Sequence, residues 1–227
     1  MTRDATALFS ANVVRSASDY VYNELRRRIY TQQLPEGARL VEAKISKELS
    51  VSITPVREAF ARLASQGLLT VFPYKGTYVT VVTKEYVRDL YYLRRHLETM
   101  AADLGFPHLT DEDIRWYEDI VLESDRAFDQ QDLYTSINCD VQFHERLFLI
   151  CENALLLEMW NLIKNRIEVF QAITKPAMRR RMSERHAKMM EALRARDKDL
   201  YVAAMLEHLG SNLHYVDFPD DKDVVYN

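Results

Sequence analysis

The spacing of apolar positions predicts a first helix close to the N-terminus. Val21, Leu25 and Ile29 lie four residues apart, so their side chains share one face of a helix. Ser18 is a residue type that caps helices, and we expect the helix to begin there and to continue to about Thr31. Residues 1–17 show no periodicity and are predicted to form a flexible arm.

Two further helices follow within the next 35 residues. The first is predicted over 42–49, where Ile45 and Leu49 form its inner face. The second is predicted over 54–66, with Thr54 as its cap and Pro55 in its first turn, where the missing N–H costs nothing. A hairpin is predicted after it, because two short strands flank the turn at 73–76. Three helices followed by a hairpin are the order of a winged helix-turn-helix.

From Thr83 the pattern is helical almost to the end of the chain. Long helices joined by short loops favour an antiparallel bundle. The predicted helices are 84–105, 111–130, 132–151, 154–174, 178–196 and 198–215. The fold class is therefore mainly α, with an N-terminal winged helix-turn-helix and a C-terminal all-α antiparallel six-helix bundle. The predicted domains are an arm at 1–17, the winged helix at 18–82, a helical domain at 83–218 and an acidic tail at 219–227.

Charge is distributed unevenly between the two predicted domains. Residues 1–82 hold 11 Lys and Arg against 7 Asp and Glu, whereas the remainder holds 19 against 27. This asymmetry is typical of a nucleic-acid-binding half joined to an acidic half. The N-terminus lacks the apolar stretch of a signal peptide, and Cys139 and Cys151 lie inside helical patterns. We therefore expect reduced cysteines, a cytoplasmic protein and no membrane partner.

The apolar stripe of helix 54–66 determines which of its side chains face outward. An arginine in the first turn can donate two hydrogen bonds to guanine, and a hydroxyl or a wing lysine can contact phosphate. A glycine at the wing tip permits close approach to the DNA backbone. The candidates are Ser52, Thr54, Arg57, Arg62, Lys75 and Gly76.

Four residues of the helical region have the side chains of a metal site. Asp140 and His144 lie at i, i+4 and therefore share one helix face, while His186 and His208 come from two other helices. An Asp/His₃ set suits a divalent transition metal such as Zn²⁺, Ni²⁺ or Mn²⁺. From spacing alone, a surface pair and ordinary core histidines remain the alternative.

The N-terminal motifs resemble the DNA-binding domain of the GntR family. The matching segments are Leu34-Pro-Glu-Gly-Ala-Arg-Leu40, Val51-Ser-Ile-Thr-Pro-Val-Arg-Glu-Ala-Phe60, Leu63-Ala-Ser-Gln-Gly-Leu68 and Lys75-Gly-Thr-Tyr-Val79. The resemblance implies that Arg39, Arg57 and Gly76 contact a double-stranded DNA operator. This chain has Ile53 where the family usually has arginine. A neutral side chain cannot make a charge-assisted contact, so we expect an altered operator preference.

The C-terminal motifs resemble the FCD ligand-binding domain of the FadR subfamily, in its VanR-like, six-helix subgroup. The matching segments are Leu93-Arg-Arg-His-Leu-Glu98, Asp140-Val-Gln-Phe-His144, Glu152-Asn153, Glu184-Arg-His186 with Asp197, and His208. The resemblance implies that Asp140, His144, His186 and His208 bind a metal that helps to hold a small carboxylate effector. Arg94, Arg166 and Asn212 are the candidate effector-binding residues. An intrahelical pair with Glu98 remains the alternative for Arg94.

Together these features predict a homodimeric transcriptional regulator, acting as a repressor, whose operator affinity depends on the effector. Two other classes of protein remain open at this point. One is a metalloenzyme that uses the Asp/His₃ site, although no general base stands at an obvious spacing and the winged helix would be unexplained. The other is an architectural DNA-binding protein, whose operator binding no small molecule would change.

Overall fold

A computed structural model describes residues 16–174 and 180–211. The first part is a winged helix-turn-helix. Its elements are α1 (Ala17–Tyr30), β1 (Arg39–Leu40), α2 (Glu42–Leu49), α3 (Ile53–Ser65), β2 (Leu69–Phe72) and β3 (Gly76–Val79). The strands form an antiparallel sheet in the order β1-β3-β2. Helices α1 and α3 pack together, and Val21, Leu25, Val56 and Leu63 are fully buried between the elements.

Both of the predicted N-caps in this half are wrong by two residues. Ser16, not Ser18, caps α1, and its Oγ accepts a hydrogen bond from the Asp19 amide at 3.1 Å. Residues 16 and 17 of the predicted arm therefore belong to the start of α1, and residues 1–15 lie outside the described part. Ser52 rather than Thr54 precedes α3, because the chain is still extended there, with φ −69° and ψ 168°. Pro55 remains in the first turn, as predicted.

The second part consists of packed helices. They are α4 (Lys84–Gly105), α5 (Asp111–Asp129), α6 (Leu133–Ile150), α7 (Ala154–Thr174), α8 (Met182–Arg185), α9 (Ala187–Ala195) and α10 (Lys198–Ser211), with a 3₁₀ turn at Phe106–His108. Thr110 and Asp113 form a capping box at the start of α5. Cys139 and Cys151 are buried free thiols. Within 16–174 and 180–211, no helix has the length and apolar character needed to cross a bilayer.

The segment predicted as one helix over 178–196 is interrupted at His186. This residue ends α8 and precedes α9, and its backbone has φ −107° and ψ 8°. Its Nδ1 lies 3.2 Å from the Met182 carbonyl, which fixes the ring in the core. Apolar periodicity alone did not reveal this break. The end of the predicted helix 198–215 and the predicted tail lie outside the described residues.

The two parts of the protein contact each other through α1. This helix packs against α7 and, less extensively, against α6. The contact includes charged and aromatic side chains that are buried, among them Tyr30 and Glu168. The winged helix is therefore held directly on the helical part and is not joined to it only by the chain.

Candidate functional site

The N-terminal end of α3 presents an open polar surface. Ser52 and Thr54 are exposed, and no hydrogen bond to the helix occupies the Ser52 side chain. Arg57 is 65% exposed, and its Nε donates to Glu42 Oε2 at 2.7 Å. An ion pair this exposed is worth little, so Arg57 can exchange Glu42 for a nucleic acid at small cost. Ile53, the first residue of the helix, is 38% exposed on the same surface.

Arg62 is held against the body of the protein. Its Nη1 donates to Asp19 Oδ1 at 3.1 Å, and its guanidinium lies 3.8 Å from the centre of the Tyr22 ring. Both partners belong to α1. Half of the side chain is still exposed. Arg62 therefore links α3 to α1. It can contact DNA only if it leaves Asp19 and Tyr22.

The wing brings together two residues that are far apart in sequence. Gly76 has φ +123°, a conformation that favours glycine, and a Cβ there would lie 3.2 Å from Arg39 Nε. The pairing of β1 with β3 causes this approach, since Arg39 stands opposite Tyr78. Lys75 is exposed at the turn before Gly76. Arg39, Lys75 and Gly76 thus form one cationic surface beside α3.

Three of the four predicted metal ligands converge in the helical part. One side-chain nitrogen each from His144, His186 and His208 lies within 4.8 Å of the other two. All three side chains are buried. Asp140 is fully buried beside them, with Oδ1 3.7 Å from His186 Nε2. We call His144, His186 and His208 the histidine cluster. They come from helix α6, from the break between α8 and α9, and from helix α10.

The hydrogen bonds of two rings fix which nitrogens carry protons. His144 Nδ1 lies 2.7 Å from Glu98 Oε2, and His186 Nδ1 lies 3.2 Å from the Met182 carbonyl. The Met182 carbonyl oxygen is an acceptor. The Glu98 carboxylate is an acceptor as well: burial raises its pKa, but Arg94 and His144 outweigh burial and lower the pKa to about 2. Each Nδ1 therefore carries hydrogen, and the Nε2 atoms of the two rings face each other.

The distance between those two nitrogens fits a shared cation. His144 Nε2 and His186 Nε2 are 3.3 Å apart. Two nitrogens bound to one zinc ion at about 2.0–2.1 Å in tetrahedral geometry would be about 3.3 Å apart. Burial lowers the pKa of His186 well below its usual value, so this ring is neutral and its Nε2 can donate a lone pair to a metal.

The His208 ring is also neutral. Burial and the neighbouring His144 lower the pKa of His208 to about 3, which keeps its imidazole neutral. A neutral imidazole is the form that binds metals. The ring stacks on His144 with centroids 5.5 Å apart and lies 4.4 Å from His186.

Polar residues around the histidine cluster hold its members in place, and sequence reasoning gave them no such role. Glu98 orients His144, as the carboxylate beside a metal-binding histidine commonly does. Asp140 accepts hydrogen bonds from Gln171 Nε2 and, at 2.7 Å, from Arg185 Nη2. Arg185 precedes His186 in a quoted motif, and Glu98 stands four residues after Arg94. Nothing in the sequence pattern singled out Gln171.

Arg94 is the predicted effector residue that the structure brings close to the histidine cluster. Its Nε donates to Glu98 Oε1 at 2.5 Å, so the intrahelical pair exists. The side chain is fully buried, and Nη1 and Nη2 make no hydrogen bond to residues 16–174 or 180–211. Arg166 lies elsewhere: a Cβ at Gly67, in the winged helix, would be 2.7 Å from its Nε. The third candidate, Asn212, lies outside the described residues.

Comparisons with known proteins agree with this architecture. Residues 17–79 match the model of "Bacterial regulatory proteins, gntR family", and residues 89–211 match that of the "FCD domain". The chain is 33% identical over 173 residues to the Nta operon transcriptional regulator of Aminobacter aminovorans, covering 76% of this chain and 81% of that protein. It is 29% identical over 206 residues to the HTH-type transcriptional repressor RspR of Escherichia coli, and the match covers 87% of this chain and 88% of that protein.

A solved structure leads to the same assignment. The structure of E. coli McbR/YncC superposes with a TM-score of 0.71 at 27% identity and covers 87% of this chain and 95% of its own. The matched families consist of regulators and not of enzymes, which removes the metalloenzyme alternative. The chain therefore belongs to the GntR family of bacterial regulatory proteins, carries an FCD domain, and is a DNA-binding transcriptional regulator.

Proposed function

We propose that the protein is a homodimeric repressor whose affinity for its operator is controlled by a small carboxylate bound at a divalent metal ion in the helical domain. The observation that carries the proposal is the buried Arg94 guanidinium with two unbonded nitrogens beside the histidine cluster. An unsatisfied buried donor is costly, so its presence favours a site built for an anionic ligand. A cytoplasmic location follows from action on chromosomal DNA.

The metal would be held by His144, His186 and His208, with Asp140 as the fourth ligand. Zn²⁺, Ni²⁺ and Mn²⁺ all accept such a set. A cation there would offer a Lewis-acidic position to one oxygen of the carboxylate. Arg94 would donate from Nη1 and Nη2 to the same ligand, and its planar guanidinium can bind a carboxylate through two parallel hydrogen bonds.

The buried hydroxyls near this site support a small polar effector. Tyr91 and Tyr117 have hydroxyl groups that make no hydrogen bond within the described part of the chain. The Arg94 guanidinium lies 5.4 Å from the Tyr91 ring centre. The Phe143 ring lies 4.8 Å from Tyr117 and 4.7 Å from His186, which connects these groups to the histidine cluster. We assign both tyrosines to the effector site, in place of Arg166.

Exposed apolar side chains on α4 and α7 support a homodimer. Monomeric proteins rarely leave large apolar patches in water, and these two helices are neighbours. The exposed side chains are Leu93, Met100, Leu104, Leu155, Met159 and Leu162. A dimer formed here would present two α3 helices to the half-sites of a pseudo-palindromic operator, with Arg39, Ser52, Thr54, Arg57, Lys75 and Gly76 as DNA contacts.

Thermal unfolding of the full chain against a panel of small organic acids tests the effector site. We expect one class of acid to raise the melting temperature with Zn²⁺ present and to fail after chelation with EDTA. Arg94→Met should abolish the response. An acid that stabilises the wild type and Arg94→Met equally would contradict the proposed site, and a chain insensitive to every acid would favour an architectural DNA-binding role.

Analytical ultracentrifugation tests the proposed dimer face. Leu155 is 72% exposed, so Leu155→Glu should leave the fold intact and shift the protein towards the monomer. Leu122 on α5 is 54% exposed and supplies the matched control, Leu122→Glu. Equal sedimentation of the two variants would place the interface elsewhere.

A further inference from the structure

Within four residues, helix α7 contacts both Asp140, beside the histidine cluster, and the winged helix. Gln171 is buried and donates from Nε2 to Asp140 Oδ2. Glu168, one turn earlier, is buried at the junction with α1, where it accepts hydrogen bonds from Arg26 and Tyr30. The same helix therefore joins a candidate metal ligand to the DNA-binding half.

The contact at Glu168 is a fixed, buried arrangement. Its Oε2 accepts from the Tyr30 hydroxyl at 2.5 Å and from Arg26 Nη2. Arg26 is held further by Nη1, which donates to the Tyr134 hydroxyl at 3.2 Å, and it lies between the Tyr30 and Tyr134 rings at 5.2 and 5.5 Å. Separating a buried charge pair is costly. A displacement of α7 should therefore move α1 with it.

Helix α1 in turn is attached to α3. The two helices pack along their length, and the Tyr22 hydroxyl donates to Gln66 Oε1 at 2.7 Å at the end of α3. Arg166 of α7 lies against Gly67, the next residue, where a Cβ would be 2.7 Å from its Nε. Helix α7 thus contacts the loop that follows α3 directly, and it contacts α3 itself through α1.

We propose that α7 transmits metal occupancy of the histidine cluster to α3, with Glu168 as the positioning residue. The inference rests on the proposed function, since it needs a metal at Asp140. A cation would bind Asp140 through Oδ1, which lies 3.7 Å from His186 Nε2, and would reorient the carboxylate whose Oδ2 accepts from Gln171. The changed Gln171 contact then favours a different position of α7. The ligand acts only through its different affinity for the two arrangements.

The test compares operator affinity in Zn²⁺ and in EDTA for three full-length variants. Duplexes selected by the wild type from a random pool provide the operator. Glu168→Gln keeps the shape of the side chain and removes its charge. Tyr30→Phe removes one hydrogen bond and is the milder change. Glu145→Gln is the matched control, because Glu145 pairs with Lys164 of α7 at 2.5 Å and forms no hydrogen bond or ion pair with the winged helix among the described residues.

We expect Zn²⁺ to change the operator affinity of the wild type and of Glu145→Gln by at least about 5-fold. The ratio of the operator affinities in Zn²⁺ and in EDTA should fall below about 2-fold in Glu168→Gln and lie between these values in Tyr30→Phe. Zinc affinity, measured by calorimetry, should be the same in all four proteins, which separates loss of transmission from loss of the site. Zinc should also alter amide hydrogen exchange of α1 in the wild type and not in Glu168→Gln.

Two results would overturn the inference in different ways. If Zn²⁺ changes operator affinity equally in the wild type and in both junction variants, transmission through Glu168 is wrong while metal-dependent regulation stands. If the wild type binds zinc but its operator affinity does not respond, both the transmission and the metal-dependent part of the proposed function are wrong. Should Glu168→Gln melt below the assay temperature, Tyr30→Phe alone decides between the outcomes.

Discussion

Replacing Glu98 by glutamine should destabilise the helical domain and weaken metal binding together. Glu98 Oε1 accepts from Arg94 Nε at 2.5 Å and Oε2 lies 2.7 Å from His144 Nδ1, so both oxygens face donors. An amide offers one acceptor, and its NH₂ group must then face either Arg94 or His144. The variant also removes the charge nearest to a fully buried guanidinium.

The size of the effect follows from these contacts. Leaving a buried charge uncompensated costs about 3–5 kcal/mol. Asp140 also attracts Arg94, so we expect the lower part of this range. For a protein of this length, about 3 kcal/mol corresponds to a fall in melting temperature of roughly 6–12 °C. Loss of the partner that orients His144 should reduce zinc affinity about 10- to 100-fold.

Circular dichroism melts in EDTA measure the stability, and zinc calorimetry at low temperature measures the affinity. Glu207→Gln is the control, because Glu207 forms a 2.7 Å pair with Lys188 at the surface and should change neither quantity. The double variant Arg94→Met with Glu98→Gln removes both buried charges and should recover most of the lost stability. A Glu98→Gln protein that melts like the wild type and binds zinc equally would refute the reasoning.

Three further predictions concern the DNA-binding half. Arg57→Ala should weaken operator binding by about 1–3 kcal/mol without lowering the melting temperature, since its pair with Glu42 is exposed; full binding in a filter titration would contradict this. Ile53→Arg should steepen the slope of log K against log salt by about 0.9, and an unchanged slope would place Ile53 away from phosphate. Hydrogen bonds from Arg27 and Arg28 lower the pKa of Glu24 to about 2. The stability that Glu24 adds is therefore present above pH 4.5 and is lost as the pH falls towards 2. Urea titrations of Glu24→Gln should lack this pH dependence.

Elements with strong local signals could be predicted closely from the sequence. The structure has α2 at Glu42–Leu49, the residues that apolar periodicity predicted, and strand β2 ends at Phe72, directly before the predicted turn at 73–76. Helix α3 was predicted over 54–66 and lies at Ile53–Ser65, a shift of one residue. Caps were less predictable, because several serines and threonines lie near each helix start, and the N-cap is the one whose backbone is still extended.

The break at His186 and the position of Arg166 depend on tertiary structure. Apolar periodicity continues through His186, and only the packing of its ring in the core explains why the helix is interrupted. Arg166 was assigned to the effector site because it is a cation on a bundle helix. The sequence does not say that this face of α7 meets Gly67 of the other domain. The group of His144, His186 and His208 could be named in advance because the resemblance to the FCD domain identified its members, whereas spacing alone left ordinary core histidines as the alternative.

The buried polar groups without partners near the histidine cluster are the reason to propose an effector site there and not a purely structural metal site. A structural zinc site is closed, with four protein ligands and satisfied neighbours. Here Arg94 Nη1 and Nη2 and the hydroxyls of Tyr91 and Tyr117 are buried donors without acceptors among residues 16–174 and 180–211. Each such group costs about 1–3 kcal/mol. An anion that accepts from them would recover this free energy, whereas a metal alone would not, because a cation accepts no hydrogen bond. This difference favours the proposed effector site over a purely structural metal site.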